Sequence, residues 1–176
     1  MGMIITLRPW SPDDAERYLD LMNRVDFTYQ DEKQRPDDID NASWYLEWMI
    51  RRAQHYNSLY CAVLADGDVV GHVQVIRQKD CSKHDGHVGC LVAKDLSHQG
   101  IGTQAVRQVV TMAFRQGSFQ RLTAWVYGPN KASACMLQKV GFKHEATLCR
   151  SVQKNGVFYD SLIYGLLCQD YANCGL

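Results

Sequence analysis

The segment Ser97-His98-Gln99-Gly100-Ile101-Gly102-Thr103 has the residue types and spacing to hold an anion. It follows the apolar run Val88-Gly89-Cys90-Leu91-Val92. It leads into helical spacing: Ile101, Ala105, Val109, Met112 and Ala113. A helix start presents unpaired backbone N–H groups and the positive end of the helix dipole. Glycines at 100 and 102 let a ligand approach that backbone and permit dihedrals that other residues avoid. Together these features suit a pyrophosphate. The plainer alternative is a glycine-rich helix cap without a ligand. Two general nucleotide signatures fit poorly. A Walker loop ends in Gly-Lys-Ser/Thr, and Gly102-Thr103-Gln104 has no Lys. The dinucleotide fingerprint wants a third glycine where Ala105 stands, which some versions admit, but this turn lies in mid-chain after four strands.

The elements that must position this turn can be read in order. The N-terminal segment, residues 1–8, reads as a first strand. Ser11-Pro12-Asp13-Asp14 starts a helix: Ser as N-cap, Pro at the first position, acids against the positive end. Residues 26–41 look like a loop, and a second helix spans about 42–54, ending near His55. Its Trp44, Tyr45, Trp48 and Met49 pack a core or line a substrate cleft. Strands at 59–64 and 69–76 flank Asp66-Gly67-Asp68, a hairpin signal. His72, like His144 later, reads as an ordinary strand or loop residue. A polar stretch leads to a strand at 87–92. A helix then covers 100–116 and ends at Gly117. Strand 122–127, helix 131–140 and a final strand pair turning at Asn155-Gly156 complete the chain. This order is mixed α/β in one domain over residues 1–176.

Composition narrows the function. The chain has 176 residues, with 19 Lys+Arg against 19 Asp+Glu. Zero net charge without a basic stripe argues against nucleic acid as partner. No apolar run reaches the roughly 18 residues of a membrane span. Seven Cys at irregular spacing, with no CxxC, suggest neither a zinc site nor a disulfide framework. Reduced thiols and a cytoplasmic home follow, with no metal and no membrane. Residues 13–40 hold ten of the acids. They read as a solvated helix face with a polar loop, or as an acidic rim from Asp31 to Asp40 that attracts a cationic amine.

Asn130, Ser133, Leu137, Lys139, Gly141 and Phe142 follow the pattern Asn-x-x-Ser-x-x-x-Leu-x-Lys-x-Gly-Phe. With the turn, the opening Leu7-Arg8-Pro9-Trp10 and the closing hairpin, the chain resembles the GNAT superfamily of acetyltransferases along its whole length. Within that superfamily it is similar to the RimJ/RimL-like group that acetylates ribosomal-protein N-termini. The family turn reads Gln/Arg-x-x-Gly-x-Gly/Ala, and Ser97 departs at the first position. The resemblance implies a mixed, splayed sheet of about six to seven strands flanked by about four helices, with a CoA slot at the splay. It implies transfer of acetyl from acetyl-CoA to a primary amine by direct attack in a ternary complex. The acceptor is a protein N-terminus or a small cationic amine such as a polyamine. The apolar C-terminal hairpin is a candidate surface for a homodimer.

By the same resemblance, backbone groups of Cys90, Leu91 and Val92 pair with the pantetheine arm. A backbone N–H near Leu91 or Val92 faces the thioester oxygen. His98, Gln99, Gly100, Ile101, Gly102 and Thr103 hold the pyrophosphate, and Asn130 binds the pantetheine. An alkyl amine titrates near pH 10, so the attack needs a base or a desolvating pocket. Relatives often place a Glu at the start of the strand before the turn; His87 stands there, and imidazole titrates near 6.5. Asp85 is a second candidate. Two other positions where relatives carry Glu are Trp125 and Val152, and the usual Tyr for the leaving thiolate is Leu137. Ser133 can serve that sulfur by donating its hydroxyl. Apolar residues at those positions keep open a non-catalytic acyl-CoA-binding module as the alternative.

Overall fold

Strands β1 (Ile5–Pro9), β2 (Leu59–Ala65), β3 (Asp68–Arg77), β4 (Asp85–Val92), β5 (Arg121–Tyr127), β6 (Lys143–Lys154) and β7 (Val157–Leu167) form one sheet in the order β1-β2-β3-β4-β5-β7-β6. Every neighbouring pair is antiparallel except β4 and β5, which run parallel. The helices are α1 (Ala15–Arg24), α2 (Ile39–Tyr56), α3 (Ile101–Arg115), α4 (Lys131–Val140) and a short α5 (Cys168–Ala172). This computed structural model describes residues 2–29, 35–116 and 119–172. The expected α/β architecture is the observed one: seven strands, and four helices longer than a single turn or two.

Local chemistry sets the boundaries. Ser11 is the expected N-cap, and with Asp14 it completes a capping box: Ser11 Oγ accepts from the Asp13 N–H, and the Asp14 carboxylate accepts from the Ser11 N–H. It opens a 3₁₀ turn that runs into α1. Helix α2 begins at Ile39, earlier than the expected 42, because the Asp38 carboxylate accepts from the Asn41 N–H at 2.8 Å and caps the helix. Part of the expected loop at 26–41 is thus helix, and Phe27–Tyr29 is a 3₁₀ turn. The expected helix end at Gly117 lies outside the described residues. Both hairpin turns have two positive φ values, at Asp66 and Gly67 and at Asn155 and Gly156, which matches strand twist.

The two faces of the sheet carry separate cores. Even-numbered β4 residues Val88, Cys90 and Val92, with Val73 and Val75 of β3, lie under α3, whose buried stripe includes Val106, Val109 and Val110. Leu91 and Ile76 pack on the opposite face with Trp10, Tyr18, Leu46 and Tyr60, under α1 and α2. The β4–β5 ladder holds only at Asp85↔Arg121, Gly86↔Leu122 and His87↔Thr123. Past His87 the strands separate. The inner edges of residues 88–92 and 124–127 therefore have no ladder partner across the split.

Candidate active site

The split opens a cleft of about 400 Å³. It is lined by Val88–Leu91 of β4, Ala124–Tyr127 of β5, and Asn130, Ser133 and Leu137 at α4. Tyr18 of α1 and Tyr45, Trp48 and Met49 of α2 close the opposite side, so the cleft reading holds for three of the four α2 residues, two aromatics and the methionine. Trp44 lines a separate depression with Arg51 and His55. No Asp, Glu, Lys or Arg is among the described residues that line the cleft.

His87 sits where the strands part. It is half-buried, and its ring meets Trp125 edge-on at 6.0 Å. Burial lowers its pKa from 6.5, while the nearby Asp85 charge works in the other direction. The imidazole is therefore neutral at pH 7 and able to take a proton. Trp125, standing where relatives carry a Glu, supplies an aromatic wall. Asp85 is tied elsewhere: it accepts from Thr123 Oγ1 at 2.7 and 2.9 Å and pairs with Arg121 at 3.7 Å. Arg121 also binds Glu145. This leaves His87 as the titratable group at the apex and Asp85 as part of a strut between β4 and β5.

The turn is built from left-handed backbone. His98 has φ 64 and Gly100 φ 82, around Gln99. Alternation of this kind turns successive N–H groups to one side. Gly100 is the N-cap of α3, and no side chain caps that helix. The first-turn N–H groups of Ile101, Gly102 and Thr103 thus lack an intrahelical acceptor. A Cβ on Gly102 would meet Met136 Sδ at 3.1 Å and Val92 Cγ2 at 3.6 Å, so α4 and β4 crowd this spot and glycine keeps it open. The side chains of His98 and Gln99 are exposed at the rim, and Ser97 Oγ turns inward to the Ala93 carbonyl. The chain thus offers backbone donors for an anion and, at residues 88–92, an unpaired strand edge for an extended arm. These are the shapes that a pyrophosphate and a pantetheine need.

Asn130 Oδ1 accepts from the Ser133 N–H at 3.1 Å and caps α4. That leaves the Asn130 amide NH₂ and the Ser133 hydroxyl for the cleft they both line. Leu137 is buried and apolar, and Val152 pairs with Tyr159 on the outer hairpin. Burial pushes the Cys90 thiol up to about 12, so at Cys90 the backbone is the useful group. Apart from Val92, whose side chain packs against the core under α3, the predicted residues converge on one cleft and on the turn beside it. Asp31 and Glu32 lie outside the described residues, and Asp38 is occupied as a helix cap.

Two site residues escaped the sequence reading. His72 and Gln74 alternate on β3 and share the face of His87, because Gln74 pairs with Gly89 and Ile76 with His87. Period-2 alternation was a signal for this, but only the register shows which neighbours they meet.

Residues 5–143 match the acetyltransferase (GNAT) domain family. The chain belongs to the GNAT acetyltransferase family. As a member it is an acyl-CoA-dependent N-acetyltransferase. It is 29% identical over 177 aligned positions to "Probable N-acetyltransferase YjcK" of Bacillus subtilis, covering 96% of this chain and 97% of that one. Two solved structures share the fold. Mycobacterium smegmatis RimJ in complex with CoA-disulfide superposes with TM-score 0.80 at 21% identity, covering 99% of this chain and 92% of that one. The ribosomal-protein-S5-alanine acetyltransferase of Vibrio fischeri does so with TM-score 0.84 at 18% identity, covering 97% and 99%. Among the described residues no helix is long and apolar enough to cross a membrane. None of the described His, Cys, Asp and Glu residues form a group of three or more that could hold a metal.

Proposed function

We propose that this enzyme acetylates the primary amine of an acceptor that is apolar and carries no other charge, with the N-terminus of a peptide as the leading class. Acetyl-CoA, when bound, supplies the thioester carbonyl that the amine attacks. The N–H groups from His98 to Thr103 hold the pyrophosphate. The open edge from Cys90 to Val92 and the Asn130 amide hold the pantetheine arm. A backbone N–H near Leu91 or Val92 meets the oxygen on which charge develops. His87 takes the proton from the amine, and Ser133 donates its hydroxyl to the departing sulfur.

The observation that carries this reading is the position of a neutral imidazole at the apex of the split, facing an aromatic chamber with no charged residue among its described lining. A polyamine would bring further ammonium groups into that chamber, with no described carboxylate to meet them. Six described cysteines are unpaired, which suits the reducing cytoplasm. The β6–β7 hairpin exposes Leu148, Val157 and Phe158 at a sheet edge, which supports a homodimer through that surface.

The test is thiol release from acetyl-CoA with three acceptor panels: peptides with apolar N-terminal residues, polyamines and aminoglycosides. Release that depends on the peptides is expected. Release with spermidine and none with peptides would overturn the acceptor class. Binding of acetyl-CoA with no acceptor-dependent release from any panel would overturn the reaction.

A further inference from the structure

Behind the chamber lies a buried chain of hydrogen bonds. Trp10 Nε1 donates to His72 Nδ1 at 2.8 Å, and His72 Nε2 lies 3.1 Å from Gln74 Oε1. Two aromatic rings neighbour the His72 ring, Trp10 at 6.0 Å and Tyr60 at 6.3 Å, each within 30° of parallel. The direction of every bond follows from one fact. An indole N–H can only donate. His72 Nδ1 must then be the acceptor and Nε2 must carry the proton. Gln74 must turn its carbonyl oxygen to that proton, which leaves its NH₂ on the other side. That NH₂ lies over Gly89, 3.0 Å from where a Cβ would sit. Gln74 lines the cleft and has no other hydrogen bond among the described residues. Any larger residue at 89 would press on this amide, so the glycine makes room for it.

We propose that Gln74 is the residue that recognises the acceptor, donating its NH₂ to a neutral carbonyl oxygen next to the attacked amine, with Trp10 and His72 as positioning residues. The inference rests on the acetyl-transfer reading above. The face of β3 decides which carbonyl is meant. Gln74 lies on the α1–α2 side with His87, not on the inner edge of β4 where the thioester arm runs. The charge of the chamber decides the rest. A carboxylate would be buried with no described Lys or Arg to pair it, whereas an amide carbonyl needs only one neutral donor. The favoured acceptor is therefore an N-terminal residue whose carboxyl is in amide linkage, with an apolar side chain among the aromatics. Burial drives the His72 pKa down to about 4, so the neutral form that this chain requires persists at ordinary pH.

The test compares phenylalaninamide with phenethylamine, which differ by the carboxamide that Gln74 would meet. The readout is the ratio of kcat/KM for the two amines. This ratio does not depend on how much of a variant is folded, and comparing it between variants cancels the amines' own reactivity. The parent is expected to favour the amide, and Gln74→Leu should cut the ratio by about tenfold to a hundredfold. Trp10→Phe, which removes the indole N–H outside the cleft, should cut it too, since His72 is then free to take the other tautomer and Gln74 to flip. Long-range ¹H–¹⁵N spectra of the parent should show His72 protonated on Nε2. A ratio unchanged in Gln74→Leu, including an equal fall for both amines, overturns the inference and leaves the acetyl-transfer reading standing. His72 protonated on Nδ1 does the same. No thiol release with either amine, nor with any of the three acceptor panels, overturns both.

Discussion

Replacing His87 by Ala should change not only the rate but the shape of its pH dependence. In the proposed reaction the acceptor arrives as an ammonium ion and neutral His87 removes its proton. For an alkyl amine, kcat/KM should then rise as His87 loses its proton. Burial places this limb below the ordinary 6.5. Above it the profile should be flat up to and beyond the amine's own pKa near 10, since an amine that is already neutral attacks without a base. Without the imidazole the amine must arrive already neutral. At pH 7 only about one in 10³ of an amine with pKa near 10 is neutral. The variant should therefore lose about 10³-fold in kcat/KM at pH 7, recover roughly tenfold per pH unit, and meet the parent near pH 10. A peptide N-terminus, with a pKa near 8, should show a loss of only about tenfold at pH 7. Steady-state thiol release between pH 5 and 10, with one alkyl amine and one peptide, reads all of this. A variant profile parallel to that of the parent would refute the role of His87, whatever the absolute rate.

Three further outcomes follow from the same geometry. Gly102→Val places methyl groups against Met136 and Val92, so the KM for acetyl-CoA should rise about tenfold to a hundredfold while the acceptor KM holds, as steady-state titration of each substrate will show. Ser133→Ala keeps the backbone N–H that Asn130 caps and removes only the hydroxyl; since a thiolate with pKa near 8.5 leaves readily, kcat should fall by only about tenfold, and an unchanged kcat removes Ser133 from the reaction. Asp14 accepts from Arg8 at 2.5 and 2.7 Å and from the Ser11 N–H, chiefly the Arg8 bonds holding its pKa at about 2 instead of 3.8. A carboxyl depressed on folding stabilises above its unfolded pKa and loses that contribution as pH falls through the folded one. Denaturant unfolding should show a term of about 2 kcal/mol lost between pH 4 and 2 in the parent and absent in Asp14→Asn.

The parts legible in the sequence are those with local causes. Helix α4 was readable to the residue because Asn130 caps one end and Gly141, at φ 113, ends the other. The anion turn was readable because its glycines sit between an apolar run and helical spacing. The start of α2 was missed because its cap, Asp38, stands in a run of acids that invites a different explanation. His87 became a candidate only through the family pattern, since nothing local distinguishes it from a strand histidine. The Trp10–His72–Gln74 chain was illegible for a deeper reason. Its first bond joins residues 62 apart in sequence, and its meaning depends on which nitrogen carries a proton. Spacing along the chain cannot express that.

In the proposed reaction the alternation of β4 divides the work between the two substrates. Its even residues support the helix that presents the anion turn, and its odd residues, His87, Gly89 and Leu91, face the acceptor chamber. A chamber lined by aromatics and neutral amides disfavours a lasting charge. An entering ammonium ion is therefore stable only until a base takes its proton, and the imidazolium that results must be stabilised from outside the chamber. Asp85 is two residues back on the same side of β4, and its charge raises the proton affinity of His87. It is held by Thr123 and Arg121 where the strands still pair. In the proposed reaction the carboxylate thus acts through the imidazole without entering the acceptor space. A Glu at position 87 would put a full negative charge where the chamber has none, and it would need a different lining to remain ionised. In the proposed reaction the histidine at the apex and the uncharged lining are two parts of the same solution to deprotonating an amine next to a thioester.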